Sequence, residues 1–189
     1  MILYLHGFRS APASTKASRL KAHMAARDLG EHYWCEQLSH VPDEAIATIE
    51  AALARAGDAP TLVGSSLGGY YATVLAERHG LKAVLVNPGV LSYLSLEPWI
   101  GRLDNFFTGE VFDFTRAHVD QLRAMEVARI TRPERYWLMV ETGDEVLDYR
   151  HAVEKYDGAR QTVLEGGDHS FTRWDDYLDD ILRFAGLPA

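Results

Sequence analysis

Short apolar runs that alternate with longer segments of helical periodicity constrain the fold of this chain more than any other feature of its sequence. The apolar runs are "ILYL" (2–5), "YWCEQL" (33–38), "TLVG" (61–64), "KAVLVN" (82–87), "YWLMVE" (136–141) and "QTVLE" (161–165). Between and after them, the spacing of apolar residues predicts helices over residues 14–29, 43–56, 67–79, 145–156 and 173–185. Uninterrupted apolar strands that alternate with helices are typical of a parallel sheet covered on both faces. We therefore predict an α/β fold: a compact, mostly parallel sheet of about six strands with helices on both faces, in a single domain over residues 1–189.

Residues 88–134 interrupt this alternation. The segment is rich in aromatic residues and proline, as in "PGVLSYLSLEPWIG" and "NFFTGEVFDF", and has no clear strand pattern. In open parallel sheets, ligands bind beyond the carboxyl ends of the strands. We expect the segment to form a small helical, lid-like insertion over a site at that edge.

Composition and charge restrict the classes of partner. Hydrophobic residues make up 47% of the chain and charged residues 24%, as is usual for a folded globular protein. The formal net charge of -8 argues against a surface that binds the phosphates of a nucleic acid. The arginines between positions 123 and 135 are interleaved with glutamates, which is typical of a solvated face. No apolar stretch is long enough to span a bilayer, and "MILYLHGF" lacks the basic start of a signal peptide. We expect a cytoplasmic protein without nucleic-acid or membrane partners.

The stretch "LVGSSLGGYY" (62–71) contains two adjacent serines at a predicted strand-to-helix boundary. The pattern G-x-S-x-G marks a sharp turn that exposes a nucleophilic serine, because the crowded backbone there leaves little room for neighbouring side chains. Only Ser66 fits it, since centring the pattern on Ser65 would place Val63 and Leu67 where glycines belong. The sequence therefore predicts Ser66 as a nucleophile, and the alternative is a structural turn serine.

A serine nucleophile needs a base and an acid that orients the base, here expected in the chain order Ser, Asp or Glu, His after later strands. His169 follows the last predicted strand in "EGGDHSF", and its imidazole can carry a proton near neutral pH. Asp144 follows the preceding strand in "VETGDEVLDYR" and is the predicted acid. Asp148 is the alternative acid, although it falls inside the predicted helix, and Asp144 could also cap that helix.

The oxyanion formed on attack needs two backbone N–H donors, one from the residue after the nucleophile and one from a loop after an early strand. Leu67 supplies the first, and "YLHGFRS" makes Phe8 the predicted second donor. His6 would shape this loop and would act as the base only if His169 were excluded.

Several blocks of the chain together resemble a known family. "LHGFRSAPASTKA", "LVGSSLGGYYAT", "NPGV", "TGDEVLDYR", "EGGDHSF" and "YLDDILRFAGL" are similar to YqiA-type esterases, a small bacterial branch of the α/β-hydrolase family. The resemblance covers nearly the whole length. It implies a carboxylic ester hydrolase that acts on small-molecule acyl esters, or on acyl-CoA thioesters, with Ser66, Asp144 and His169 as the triad and without a cofactor.

The apolar residues of the insertion are candidates to line an acyl pocket, although packing of the insertion onto the domain would explain them equally well. These residues are Tyr93, Leu94, Leu96, Trp99, Phe106 and Phe107. A thioesterase would use the same residues, and a peptidase, a lactonase, a cofactor-free peroxidase or a binding module without turnover is compatible with the same fold. No metal site is expected, because His32 and His40 lack companion ligands.

Overall fold

The structure, a computed structural model, describes residues 1–57 and 59–189 and is built around a six-stranded sheet. The strands of this sheet are β1 (Ile2–Leu5), β2 (Tyr33–Trp34), β3 (Thr61–Ser65), β4 (Lys82–Val86), β7 (Tyr136–Glu141) and β8 (Arg160–Leu164). Two further strands, β5 (Gly101–Asp104) and β6 (Val111–Phe114), lie in the insertion. The spatial order of the six sheet strands is β2-β1-β3-β4-β7-β8, and every neighbouring pair in this sheet is parallel. The predicted α/β sheet of six strands is confirmed.

Helices cover both faces of the sheet. They are α1 (Thr15–Ala25), α2 (Pro42–Arg55), α3 (Leu67–His79), α4 (Ser92–Leu96), α5 (Arg116–Ala124), α6 (Tyr149–Lys155) and α7 (Leu178–Phe184). Alternate residues of β1 belong to two hydrophobic clusters: Ile2 and Tyr4 pack with α1 and α7, whereas Leu3 and Leu5 pack with α2 and α3. Burial on both faces explains why the strands are apolar along their whole length. Among the described residues, none of the helices is long and apolar enough to cross a membrane.

The edge strand β2 is shorter than the predicted strand 33–38. Only Tyr33 and Trp34 pair with β1. Further along, the N–H of Leu38 donates to Nε2 of His6 at 3.0 Å, so the backbone leaves the sheet to bond with a side chain. An apolar run by itself does not reveal such a diversion.

The predicted helix 145–156 begins only at Tyr149. Asp144 Oδ1 accepts hydrogen bonds from the N–H groups of Val146 and Leu147, which holds the chain in a turn before the helix. Asp148 is therefore not inside the helix: it is the N-cap of α6, and its carboxylate accepts from the N–H of Arg150.

The insertion is not purely helical, which corrects the prediction for residues 88–134. Besides α4 and α5 it contains an antiparallel hairpin of β5 (Gly101–Asp104) and β6 (Val111–Phe114), called the insertion hairpin below. Phe112 and Phe114 of β6 are buried, whereas Val111 and Asp113, which alternate with them, are exposed. This alternation with a period of two is the pattern of a strand with one buried face.

Candidate active site

Ser66 lies at the turn between β3 and α3, at the carboxyl edge of the sheet. Its backbone has φ 55° and ψ -121°, a conformation that non-glycine residues rarely adopt. Surrounding hydrogen bonds hold it there: Ser66 N–H donates to Val86 O, and Ser66 O accepts from the N–H groups of Gly69 and Gly89. These hydrogen bonds therefore hold Ser66 in a strained turn that directs its side chain to the carboxyl edge of the sheet.

Two glycines allow this turn to pack against its neighbours. A Cβ on Gly64 would lie 2.3 Å from the carbonyl oxygen of Gly68, and a Cβ on Gly68 would lie 1.9 Å from the carbonyl oxygen of Leu5. Both distances are far below van der Waals contact with rigid backbone. The spacing of glycines around Ser66 thus follows from close contact between α3, β3 and β1.

Ser66, His169 and Asp144 form a chain of hydrogen bonds. His169 Nε2 lies 3.2 Å from Ser66 Oγ, and His169 Nδ1 lies 2.8 Å and 3.0 Å from the two carboxylate oxygens of Asp144. An ionised carboxylate only accepts, so Nδ1 carries the proton and Nε2 is free to accept from the serine hydroxyl. The Asp144 side chain is 2% exposed, so its carboxylate is shielded from water, whereas the His169 side chain is 24% exposed.

The loop that carries His169 is held by two residues that the sequence reasoning did not single out. Asn87 donates from Nδ2 to the carbonyl oxygens of Asp168 and His169, and its Oδ1 accepts from the N–H of Glu141. The fully buried carboxylate of Glu141 accepts from the N–H of Asp168 and from backbone and side chain of Thr172. Each residue is a polar side chain at the end of an otherwise apolar strand run, a signal that would have pointed to both.

Gly167 is required beside this carboxylate. Its φ is 69°, and a Cβ there would lie 1.8 Å from Glu141 Oε2. The paired glycines before His169 therefore serve the approach of the loop to Glu141 as well as the turn itself.

Glu141 makes the folded state sensitive to acid. Burial raises the pKa of its carboxyl group, but hydrogen bonds from Thr172, Asp168 and Arg173 outweigh that effect and lower the pKa from 4.5 to about 2. The carboxylate thus stabilises the fold above the unfolded-state pKa, and this contribution is lost as pH falls through the folded-state value. The difference corresponds to about 3 kcal/mol of unfolding free energy.

Glu141→Gln is therefore expected to flatten the pH dependence of stability between about pH 5 and pH 2, by about 3 kcal/mol relative to the wild type. Urea unfolding at a series of pH values measures this change. Glu134→Gln, which alters an exposed carboxylate, is the matched control and should keep the wild-type slope. If the unfolding free energy depended on pH equally in the wild type and both variants, the lowered pKa of Glu141 would be contradicted.

The predicted oxyanion donors are two backbone N–H groups, those of Phe8 and Leu67. Among the described residues, neither Phe8 N–H nor Leu67 N–H donates a hydrogen bond to another protein group. An ideal Cβ on Gly7 would lie 3.7 Å from Ser66 Oγ, so the loop that contains Phe8 passes next to the serine. Phe8 and Leu67 line a cavity that Ser66 also lines, and their role as oxyanion donors stays a prediction from the sequence.

The other polar residues near these loops occupy different positions. His6 is 3% exposed; its Nδ1 bonds to Gly7 O, its Nε2 accepts from Leu38 N–H, and burial lowers its pKa. Asp168 bonds to Ser170 rather than to the imidazole of His169. His6 therefore shapes the loop after β1, and Asp168 shapes the loop after β8.

Two cavities meet at Ser66. The first, of about 490 Å³, is mainly apolar, and Leu96, Trp99, Phe106 and Leu147 are among its lining residues. The second, of about 660 Å³, is more polar and contains Phe107 in its wall. Four of the six residues proposed from the sequence for an acyl pocket thus line cavities that Ser66 also lines.

Tyr93 and Leu94 line neither cavity. Helix α4 presents Ser92, Ser95 and Leu96 to the apolar cavity, a spacing of three and four residues, so the intervening positions face elsewhere. Tyr93 packs instead against the core with Arg123 over its ring, and Leu94 is 49% exposed. Helical periodicity explains why these two positions differ from their neighbours.

Lys16 gives the polar cavity a positive wall. Its Nζ donates to Ser170 O at 2.7 Å and, within the part of the chain that the structure describes, forms no salt bridge. Burial lowers its pKa to about 8, partly offset by the carboxylates of Asp168, Asp144 and Glu141. An anionic group in this cavity would therefore find an ammonium group that no carboxylate of the described residues contacts directly.

No group of three or more histidine, cysteine, aspartate or glutamate side chains is placed to hold a metal ion in residues 1–57 and 59–189. His40 instead stacks on Phe112 with ring centroids 4.3 Å apart.

Comparison by sequence identifies a family. A model of the family described as "Uncharacterised protein family (UPF0227)" matches residues 1–186. A UPF0227 protein of Vibrio cholerae serotype O1 is 26% identical over 159 residues, which cover 81% of this chain and 86% of the relative. The match therefore extends over the sheet and the site.

Comparison by structure identifies the fold. A protein of Agrobacterium vitis S4, provisionally described as a hydrolase, aligns with a TM-score of 0.79 and 22% identity over 97% of this chain and 87% of its own. Mouse alpha/beta hydrolase domain-containing protein 10 has a TM-score of 0.69 and 15% identity over 96% and 89% of the two chains. Est1E of Butyrivibrio proteoclasticus, with ferulic acid bound, has a TM-score of 0.69 and 13% identity over 97% and 86%. The chain thus has the α/β-hydrolase fold.

Proposed function

The chain belongs to the Uncharacterised protein family (UPF0227), and we propose that it is a serine hydrolase that cleaves carboxylic acyl esters. In this proposal Ser66 is the nucleophile, His169 the base and Asp144 the acid that orients it. The observation that supports it most strongly is the hydrogen-bond chain from Asp144 through His169 to Ser66. The N–H groups of Phe8 and Leu67, which donate to no protein group among the described residues, are free to bind an oxyanion.

The first half of the reaction forms an acyl-enzyme. Ser66 Oγ attacks the ester carbonyl carbon while His169 Nε2 takes the hydroxyl proton, and the carbonyl electrons move onto oxygen. The N–H groups of Phe8 and Leu67 donate to this oxyanion. When the tetrahedral intermediate collapses, the ester C–O bond breaks and His169 returns the proton to the leaving alcohol.

The second half releases the acid. Water enters, loses a proton to His169 Nε2 and attacks the acyl carbon, and collapse returns that proton to Ser66. Asp144 holds Nδ1–H throughout and stabilises the imidazolium formed in each half. The products are a carboxylic acid and an alcohol.

The apolar cavity supports the choice of an acyl substrate. It opens at Ser66 and is walled by Leu96, Trp99 and Leu147, side chains that favour hydrocarbon over charged groups. We assign the acyl chain to this cavity and the leaving group to the polar one. The proposed ligand is a small molecule, and no step of the reaction requires a cofactor.

Lys16 favours a thioester as a second candidate substrate. The leaving group of an acyl-CoA carries several phosphates, and the polar cavity offers this ammonium without a salt-bridged carboxylate among the described residues. Butyryl-CoA and p-nitrophenyl butyrate share an acyl group and differ in the leaving group. Their relative kcat/KM values in the wild type and in Lys16→Met separate the two candidates.

Fluorophosphonate labelling of the purified protein, followed by peptide mass mapping, tests the proposed activity. Labelling should occur at Ser66 and should abolish hydrolysis of p-nitrophenyl esters in parallel. A folded sample that neither reacts with the probe nor hydrolyses short and long esters would overturn the proposal. The chain would then be better explained as a binding module on a hydrolase fold.

A further inference from the structure

The oxyanion loop, residues 7–10, is held mainly by contacts to the insertion hairpin. Arg9 donates from Nε to Asp104 O and from Nη2 to Asp104 Oδ1, both at 2.6 Å. The N–H of Phe106 donates to Arg9 O at 3.1 Å, and the Arg9 guanidinium lies 3.8 Å from the centroid of the Phe106 ring. Both the backbone and the side chain of Arg9 thus bind the oxyanion loop to the insertion hairpin.

Arg9 has a backbone conformation that depends on support from surrounding residues. Its φ is 55°, in the left-handed region that non-glycine residues usually avoid. The Arg9 side chain is only 10% exposed, whereas its partner Asp104 is 59% exposed, so the ion pair lies at the surface with its arginine side covered. A residue keeps such a strained conformation only when surrounding contacts hold it there, and for Arg9 these contacts are those to the insertion hairpin.

Neighbouring residues add to the same attachment. The Phe8 ring meets Phe114 edge-on with centroids 4.9 Å apart, and Asn105 Nδ2 donates to Ser10 O at 2.9 Å. Three consecutive residues of the oxyanion loop therefore contact the hairpin.

We propose that Arg9 is a positioning residue that, through Asp104, braces the Phe8 N–H for the oxyanion, so that the insertion hairpin is a fixed part of the active site. The inference rests on the proposed function, because a precisely placed N–H matters only if an oxyanion forms there. The inference differs from the expectation of a lid-like insertion over residues 88–134, because an insertion that moved as a lid would break these contacts and release the oxyanion loop.

Asp104 allows positioning to be separated from a direct charge effect. Asp104 is absent from the described residues that line the two cavities at Ser66, and its carboxylate pairs with Arg9. If Arg9 stabilised the oxyanion by its charge, removing the neighbouring carboxylate would leave that charge less neutralised and kcat unchanged or higher. If Arg9 positions the loop, the same change lowers kcat.

Asp104→Ala is expected to lower kcat for p-nitrophenyl butyrate about tenfold with KM within twofold, because the oxyanion contact forms in the transition state. Asp104→Asn keeps a neutral acceptor and should recover part of the loss. Arg9→Lys keeps the charge but not the two-donor geometry, and its kcat should fall at least as far. Adding Asp104→Ala to Arg9→Lys should cause little further loss, because both changes break one contact.

Asp113→Ala is the matched control, an exposed aspartate on the partner strand of the same hairpin. Hydrogen–deuterium exchange of a peptide over residues 6–12 supplies a readout that does not need turnover: uptake should rise in Asp104→Ala and not in Asp113→Ala. If deuterium uptake rose in Asp104→Ala but the wild type had no esterase activity, the positioning role of Arg9 would stand and the proposed function would be rejected. Asp104→Ala that matches Asp113→Ala in kcat and exchange, or exceeds the wild-type kcat, would overturn the inference.

Discussion

Ser66→Ala is expected to lower kcat for ester hydrolysis by about 10⁶-fold, which leaves only the rate that the remaining site supports. The loss is this large because, in the proposed mechanism, Ser66 forms the acyl-enzyme and the oxyanion donors act only once a nucleophile attacks. The substitution removes one oxygen from a turn held by backbone hydrogen bonds, so the fold should persist.

The adjacent serine supplies the control for this prediction. Ser65 ends β3 and is 7% exposed, and among the described residues it makes no hydrogen bond to His169. Ser65→Ala should retain most of the wild-type kcat and react with a fluorophosphonate, whereas Ser66→Ala should do neither. Steady-state kinetics and intact-protein mass spectrometry measure both. Comparable activity of the two variants would show that Ser66 is not the nucleophile.

Asp144→Asn is expected to lower kcat by about 10⁴-fold while leaving the fold intact. An asparagine would still accept from the N–H groups of Val146 and Leu147 through its oxygen, which preserves the turn. Its amide would then donate to His169 Nδ1 and favour the tautomer with the proton on Nε2. That tautomer cannot accept the proton of Ser66.

Asp148→Asn distinguishes the two candidate acids. Asparagine is as good an N-cap as aspartate, so α6 should be unaffected and kcat should stay within about twofold of the wild type. Activity assays together with thermal unfolding of both variants make the comparison. A large loss in Asp148→Asn with near-normal rates in Asp144→Asn would reverse the assignment.

The positions of the site residues at the strand ends could be predicted because they depend on local patterns. Apolar runs mark buried strands, and parallel strands bring their carboxyl ends to one edge, so residues that follow different strands meet there. His169 and Ser66 are 103 positions apart and nevertheless lie within hydrogen-bonding distance. Asp144 was separable from Asp148 only by its closeness to the end of β7.

The insertion hairpin was missed although its second strand has a recognisable pattern. "VFDF" alternates exposed and buried residues, and Asn105 and Gly109 in "NFFTGE" form the preceding turn. Aromatic residues at both buried and exposed positions obscured that alternation. The face that each aromatic presents depends on what the hairpin packs against, as Phe106 over Arg9 illustrates.

The sequence by itself determined the order along the chain of the six sheet strands and the five helices outside the insertion, the turn at Ser66 and the loops that carry Asp144 and His169. Each of these depends on hydrophobic periodicity or on turn residues within a short window. Only the tertiary structure decided which insertion residues face the cavities, how Glu141 holds the His169 loop and how Arg9 meets Asp104. Those contacts join residues 31 and 95 positions apart in the cases of Thr172 with Glu141 and Arg9 with Asp104. A polar side chain finds such a partner only when packing has fixed the relative positions of whole elements, which no local pattern encodes.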